Sequence, residues 1–519
     1  MNSAIRTRRS LIGNAIANWG AFLYVAAIGF FLSPIVVNSL GSTAYGVWSL
    51  LVTVVGYLGL LDFGVRGAVT RYIAHHHAAA DLKSSSLIAT AAIVLFGALG
   101  VLAILISCGL GWLAPVAFHI PTELLPEAQT VLVLGGFTIA STLLGAVFGG
   151  VVTGLERFDI SAGVEILLTT VRSAAVLAAL KLGYGLVALA WIHLVGSILY
   201  GLAMWLIVRR ILPGLRFRFR ENLAPHVRTI LSFSAYLSAL HVLGGVIYYT
   251  DALVIAAMLP IGAVGVYVIA GNLTTYARQV SSALSKMFTP RISAMYSAGS
   301  DQIVPTVLSA SRAATLVILP IAITFLLRGK SFIDLWMGPE YGTASGEVLQ
   351  VLALVVWSGS ARAVASAAVI GVNMHRRLVP LAVFEALCNL ALSVALARPL
   401  GVVGVAVGTL VPALIVSFLL MPRRLQQIIG MPARTFIVTA IVLPTVSGLP
   451  FAAATFLLDR YFPSTSVLMF FVQVAAVLPL AFIGAYAICF SAEERRALLA
   501  AARRRGIRIP GSPPAERAP

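Results

Sequence analysis

Five basic residues, Arg66, Arg172, Arg278, Lys286 and Arg362, and four acids, Asp62, Glu165, Asp251 and Glu385, stand inside long apolar runs of this sequence. A charge at bilayer depth costs roughly 2.5–3.5 kcal/mol, so each one calls for a partner, a water-filled cavity or both. Asp62 and Arg66 are four residues apart, which would put them on one helix face within ion-pair reach. Farther along, Asn272, Thr275, Gln279, Ser282, Lys286 and Thr289 advance by three and four residues, with Arg278 beside them. A polar stripe of that period on a membrane helix faces water or protein, not lipid, and it predicts an aqueous cavity. A cavity lined by Arg66, Arg278, Lys286 and Arg362 would suit an anionic ligand. Phosphate fits best, because a guanidinium grips it through two parallel hydrogen bonds. Glu165 and Arg172, two turns apart on one face, are secondary cavity candidates expected mainly to pack against other helices, as is Glu385 beside Asn389. Asp251, after Tyr248-Tyr249-Thr250, is a candidate for the cavity or for a coupling ion. The lone His193 and His241 are expected in core packing.

The elements that must hold these groups follow from composition. Of 519 residues, 60% are apolar and 10% charged, and the mean hydropathy is +0.98. A soluble chain carries about 25% charged residues, so a soluble enzyme is excluded. With about 20 apolar residues per crossing, the sequence predicts an all-α polytopic membrane protein of about fourteen spans. The expected organisation is an N-terminal lobe at 1–211, a basic linker at 212–228, a C-terminal lobe at 229–424, an appended helix pair at 425–490 and a basic tail at 491–519. The two lobes are expected to be pseudo-symmetric, with six helices each.

Charge placement sets the orientation. The termini and even-numbered loops hold 26 of the 36 Lys and Arg, while the odd loops hold only Lys181, Arg328, Lys330, Arg398 and Arg460. By the positive-inside rule both termini would be cytoplasmic. The run from Arg209 to Arg228 contains Arg216-Phe217-Arg218-Phe219-Arg220, and the tail holds Arg495, Arg496, Arg503, Arg504 and Arg505. Both are expected to lie on anionic lipid headgroups, not on nucleic acid. His75, His76 and His77 are adjacent and point different ways on a helix, so no metal site is expected there. Cys108, Cys388 and Cys489 lack metal or redox spacing and read as core residues.

The stretch Leu40–Trp48 aligns with Leu259–Tyr267 at an offset of 219, matching Gly46 to Gly265 and Trp48 to Tyr267. The spans so related lie an even number apart, which predicts a parallel repeat about an axis along the membrane normal. The same offset carries Arg66 to Ser285, next to Lys286.

The segments Gly41 through Leu50, Tyr57 through Val65, Gly154 through Asp159, Leu335 through Tyr341 and Gly401 through Ala406 resemble the polysaccharide flippases of the multidrug/oligosaccharidyl-lipid/polysaccharide exporter superfamily. The resemblance runs over essentially the whole chain. It implies a two-lobe transporter that moves undecaprenyl-pyrophosphate-linked oligosaccharide between leaflets by alternating access, for O-antigen, capsule or exopolysaccharide assembly. Arg66, Arg278, Lys286 and Arg362 would then attract the pyrophosphate and sugar. Coupling to a proton or sodium gradient would fall to Asp62 or Asp251. The polysaccharide polymerase machinery would be a partner, and no other cofactor is implied. The rivals are a drug/cation antiporter, which predicts an acid-dominated cavity, and a peptidoglycan-precursor flippase, which shares the cationic one. A membrane-embedded glycan polymerase or ligase would need catalytic groups in a sizeable outer loop, and no such constellation is present.

Overall fold

The computed structural model describes residues 2–496, with side chains described for 19–232 and 242–496. Arg6, Arg8, Arg9 and His241 therefore lie outside the described side chains, and Arg503, Arg504 and Arg505 outside the described residues. Among the described residues there are helices and no strands. In chain order they are α1 (Asn2–Gly59), α2 (Val65–Ala78), α3 (Leu82–Ala117), α4 (Leu125–Gly154), α5 (Phe158–Lys181) and α6 (Leu186–Ile211). Then follow α7 (Ala224–Met258), α8 (Gly262–Ser297), α9 (Ile303–Met337), α10 (Pro339–Gly371), α11 (Val379–Ile415) and α12 (Met421–Ile429). The short α13 (Ala433–Ile437) and α14 (Leu443–Ser447) lead into α15 (Leu449–Tyr461) and α16 (Val467–Ile488).

Ten helical runs among the described residues are long and apolar enough to cross a bilayer. One of them, Trp19–Ala78, has 60 residues, about 90 Å at 1.5 Å per residue against a hydrocarbon core of about 30 Å. It bends at Gly41, whose φ of 76° reverses the backbone without a Cβ clash. Gly401, with a φ of 60°, does the same inside α11. Gly41 and Gly401 are thus kinks, each joining two helices.

The two repeat-related glycines meet. A Cβ on Gly46 would lie 2.2 Å from the Ile261 carbonyl oxygen and 2.9 Å from the Gly262 Cα, and one on Gly265 would lie 2.7 Å from the Tyr45 ring. Small residues let two membrane helices approach backbone to backbone. Position 46 thus touches 261–262, and position 265 touches 45–46.

The helices group into two compact units. The first comprises Met1–Tyr276, Ile333–Val355 and Met374–Val416, and the second Ala277–Phe332, Val356–Asn373 and Ser417–Pro519. This grouping cuts through α8, α9 and α10, whereas the expected lobes leave them whole. In the second unit Ala277, Ile318 and Val356 form one packed cluster, and Ala310, Ala314 and Val364 another. Arg328 departs from expectation. Read from sequence as a loop residue, it lies inside α9 and is wholly buried. Its Nε donates to Asp459 Oδ1 (3.0 Å), its Nη2 to Ser464 Oγ (2.8 Å) and Gln473 Oε1 (2.7 Å), and its plane lies over Phe470. The apolar stretch of α9 simply continues past the charge. Cys489 is buried and Cys388 half-buried, but Cys108 is exposed and is not a core residue.

Candidate functional site

Asp251 is the best-formed polar site in the first unit. It sits on α7, is 2% exposed, and takes part in none of the ion pairs among the described residues. Neutral donors surround it instead. Tyr267 on α8 donates to Oδ2 (2.5 Å), as does Thr409 (2.6 Å), while Asn389 Nδ2 and Ser393 donate to Oδ1 (3.1 Å each). Asn389 and Ser393 are one turn apart on α11, so both reach the same point. Gly401 folds the second half of α11 back so that Thr409 faces the first half, and Asn389 Nδ2 also donates to Thr409 Oγ1 (3.0 Å). Ser393 and Thr409 each reach the Val405 carbonyl (3.4 and 3.3 Å). The Asn389 Oδ1 atom is buried and has no hydrogen-bond partner among the described residues. The result is a compact set of hard oxygen atoms around one carboxylate, a donor type suited to a proton or an alkali cation.

One cavity adjoins this cluster, and a second shares Asn272 with the first. One, of about 50 Å³, is lined by Tyr248, Tyr249, Tyr267 and Asn272 among others, so Tyr267 links it to Asp251. The other, of about 330 Å³, is lined by Tyr45, Trp48, Ser49, His193, Asn272 and Tyr276 together with apolar side chains. Trp48 and His193 meet edge to face with centroids 5.0 Å apart. His193 thus lines a cavity, where simple core packing was expected. Asn272, the first residue of the polar stripe, opens on both spaces, and Thr275 donates to the Tyr248 hydroxyl (2.9 Å).

The other sequence candidates divide between the units. Asp62, Arg66, Glu165, Arg172, Asp251, Asn272 and Thr275 lie in the first, and Arg278, Gln279, Ser282, Lys286 and Arg362 in the second. Asp62 and Arg66 are not side by side on one helix. A short 3₁₀ turn ends at Asp62, Phe63 and Gly64 adopt left-handed backbone, and α2 starts at Val65. The Asp62 carboxylate accepts the backbone N–H of Arg66 (3.1 Å), capping α2, and makes no ion pair with its guanidinium. Freed of Asp62, the exposed Arg66 side chain lies near the Tyr200 hydroxyl, with Gly149 leaving room between them. Arg172 packs its Cδ near Gly196, and Glu165 is exposed. Within α8, Gln279 and Lys286 are exposed while Ala277, Ser281 and Ser285 are buried, so the stripe occupies the open face of its helix. Arg278 and Arg362 are half-buried and engaged with neighbours.

Sequence reasoning singled out Asp251 without the Tyr267, Ser393 and Thr409 that surround it, and it placed Asn389 beside Glu385. The available signal was the set of small polar residues at 389, 393 and 409 within otherwise apolar helix.

Comparison with known proteins places these features in a context. The sequence family described as polysaccharide biosynthesis protein matches residues 11–296. The probable flippase AglR of Haloferax volcanii is 24% identical over 417 residues, covering 79% of this chain and 83% of that protein. The uncharacterized membrane protein EpsK of Bacillus subtilis is 23% identical over 341 residues, covering 64% of this chain and 66% of that protein. Among solved structures, the lipid II flippase MurJ in an inward closed conformation aligns with a TM-score of 0.73 at 14% identity, covering 92% of this chain and 98% of that one. An inward-facing multidrug-resistance transporter of the MATE family aligns with a TM-score of 0.60 at 18% identity, covering 78% and 95%. At these identities the structures bear on the fold alone.

Proposed function

The chain belongs to the polysaccharide biosynthesis protein family, and on that premise we propose that it flips polyprenyl-pyrophosphate-linked oligosaccharide across the bacterial cytoplasmic membrane, driven by a cation bound at Asp251. The observation that carries the reading is the Asp251 cluster. A multi-pass membrane protein keeps a carboxylate among four neutral donors with no basic partner among the described residues, beside an oxygen atom that no described residue satisfies. A buried charge left without a counter-ion costs several kcal/mol, so a mobile proton or alkali cation is its natural complement. Pairing and unpairing with that ion biases one conformation over another by the difference in ion affinity between them.

Support for the cargo comes from the cavity chemistry. Tyr45, Trp48 and Tyr276 offer flat apolar faces, and Asn272 and Ser49 offer hydrogen bonds, a combination that suits a sugar ring. Arg66, Arg278, Lys286 and Arg362 are the groups proposed to draw in the pyrophosphate. Both termini are proposed to be cytoplasmic.

The deciding experiment is a deletion strain assayed for lipid-linked repeat units on the cytoplasmic leaflet, complemented with Arg66→Ala/Lys286→Ala. Accumulation in the deletion and failure of the double variant to restore polymer are expected. No change in lipid-linked intermediates in the deletion strain removes the flippase reading. Full polymer output from the double variant removes the assignment of those two residues.

A further inference from the structure

The basic segment that joins α6 to α7 is a fixed strap, unlike a slack loop. Its backbone N–H groups at Arg216 and Arg218 donate to the hydroxyls of Ser86 (3.1 Å) and Thr90 (3.0 Å) on α3. Two residues of extended chain advance about 6.6 Å, and four residues of helix about 6 Å, so the strap's alternate N–H groups fall in register with hydroxyls one turn apart. Both hydroxyls also donate back into α3, Ser86 to the Leu82 carbonyl (2.8 Å) and Thr90 to that of Ser86 (2.6 Å). That leaves only an oxygen lone pair facing outward, which an N–H from the strap can use. Both side chains are fully covered.

Pinned in this way, the strap turns its side chains outward in alternation. Phe217 and Phe219 share one side, with centroids 6.1 Å apart, and Phe217 also meets Phe148 on α4. Phe217 is 38% and Phe219 58% exposed. Arg218 is held by Glu221 (2.6 Å), while Arg216 and Arg220 are exposed, as are Arg209, Arg210 and Arg228 nearby. Arg209 lies over the Trp205 ring.

Depth follows from the helix that holds the strap. The 36 residues of α3 span about 54 Å. Centred on a bilayer, such a helix meets the hydrocarbon about 12 Å from its start and the outer edge of the headgroups some 5–7 Å from it. Ser86 and Thr90 are four and eight residues past Leu82, or about 6 and 12 Å. The strap therefore crosses the headgroup layer.

We propose that residues 212–223 dock on the anionic glycerophospholipids of the bilayer, with Arg216 and Arg220 on the lipid phosphates and Phe217 and Phe219 at the acyl boundary. The charge pattern commits the surface to an anionic headgroup, and the exposed rings commit it to a bilayer in preference to a free phosphate. The inference rests on the strap alone and holds whatever the cavity carries.

Two measurements on the full-length protein test it. In a Cys108→Ala/Cys388→Ala/Cys489→Ala background, an environment-sensitive NBD label is placed at Phe219→Cys and read in vesicles of phosphatidylcholine with phosphatidylglycerol. The label should be blue-shifted and quenched by nitroxide lipids labelled shallow in the acyl chain. Separately, native mass spectrometry compares retained phosphatidylglycerol with phosphatidylcholine in the wild type and in Arg216→Ala/Arg220→Ala. The preference for the anionic lipid should fall roughly five-fold per arginine, as about 1 kcal/mol per basic residue at an anionic surface implies, and Arg216→Lys/Arg220→Lys should retain most of it. A label at 219 that stays open to aqueous iodide, or a double alanine variant that keeps the wild-type lipid preference, overturns the proposal.

Discussion

Replacing Asp251 by Asn and by Ala separates a coupling role from a structural one. Alanine removes the acceptor of four buried donors, those of Tyr267, Asn389, Ser393 and Thr409. A stranded buried donor costs about 1–3 kcal/mol. Even if half of them find new partners, the loss is several kcal/mol out of the about 5–15 kcal/mol by which folded domains are stable. Asparagine is different. Its amide can face the hydroxyls of Tyr267 and Thr409, which can turn to accept, while its oxygen keeps Asn389 and Ser393. Four hydrogen bonds lose their charge assistance, about 1 kcal/mol each, and the several kcal/mol cost of an unpaired buried charge disappears with it. The two nearly cancel, so Asp251→Asn should accumulate and melt like the wild type. Its cation response should vanish. If wild-type protein binds sodium, saturation to 100 times the dissociation constant stabilises it by about 2.7 kcal/mol. Thermal melts of purified protein in sodium against choline chloride, repeated across pH, read that increment and show whether the ion is sodium or a proton. Polymer output in the complemented deletion strain reads transport. A folded Asp251→Asn protein that restores full polymer output and keeps the wild-type cation response would refute the reasoning.

Three further outcomes are expected. Gly46→Ala places a methyl 2.2 Å from the Ile261 carbonyl, where neither backbone can yield, and should cost about 1–3 kcal/mol or more; an unchanged melting midpoint by fluorescence-detected size exclusion would contradict the close crossing. Arg328→Ala should cost about 3–5 kcal/mol, as loss of one partner of a buried pair does, and should raise hydrogen exchange across 459–473. Adding Asp459→Ala should recover part of that loss, whereas Arg328→Lys, lacking the fork that reaches Asp459, Ser464 and Gln473 together, should not. Glu494 caps the helical start of the tail through the Ser491 N–H and pairs with Arg312 on α9. Burial pushes its carboxyl upward, but the Arg312 guanidinium and Ser491 outweigh that and hold it below the usual carboxylate range. Its contribution is therefore complete above the unfolded value and lost as pH falls through the lowered folded one. Protection of the 491–496 amides, taken relative to their intrinsic exchange rates, should fall on acidification in the wild type and be low and pH-independent in Glu494→Gln.

Hydropathy carries the fold class because each apolar run must find lipid or helix, and the glycine match at 46 and 265 carries the crossing of α1 with α8. What composition does not carry is the path of the backbone around a charge. The Asp62–Arg66 spacing reads as one helix face only if the helix is unbroken. Two left-handed residues between them turn the carboxylate into a helix cap and free the guanidinium, and Phe63 gives no sequence warning of positive φ. Arg328 shows the converse. A charge at the end of an apolar run reads as a loop, yet the partners that let it stay buried lie more than 130 residues downstream, at 459, 464 and 473.

The Asp251 cluster was half legible for the same reason, and the argument for a mobile ion is that its buried carboxylate has no basic partner among the described residues. Each unsatisfied buried atom is a standing cost, and Asn389 Oδ1 is one of several among the described residues. Tyr267, Ser393 and Thr409 each give a hydrogen to the carboxylate, and Thr409 in turn accepts one from Asn389. Those bonds fix the Asn389 amide. Turned over, it would aim its oxygen at the Asp251 carboxylate and at a Thr409 hydroxyl whose proton is already given away. The Oδ1 atom must therefore point where it does, buried and without a donor. Removing that oxygen while keeping the rest, as Asn389→Ala cannot but Asn389→Ser can in part, should weaken cation binding more than it weakens folding. A variant that melts lower yet keeps the wild-type cation shift would mean that the orphaned oxygen plays no part in holding an ion.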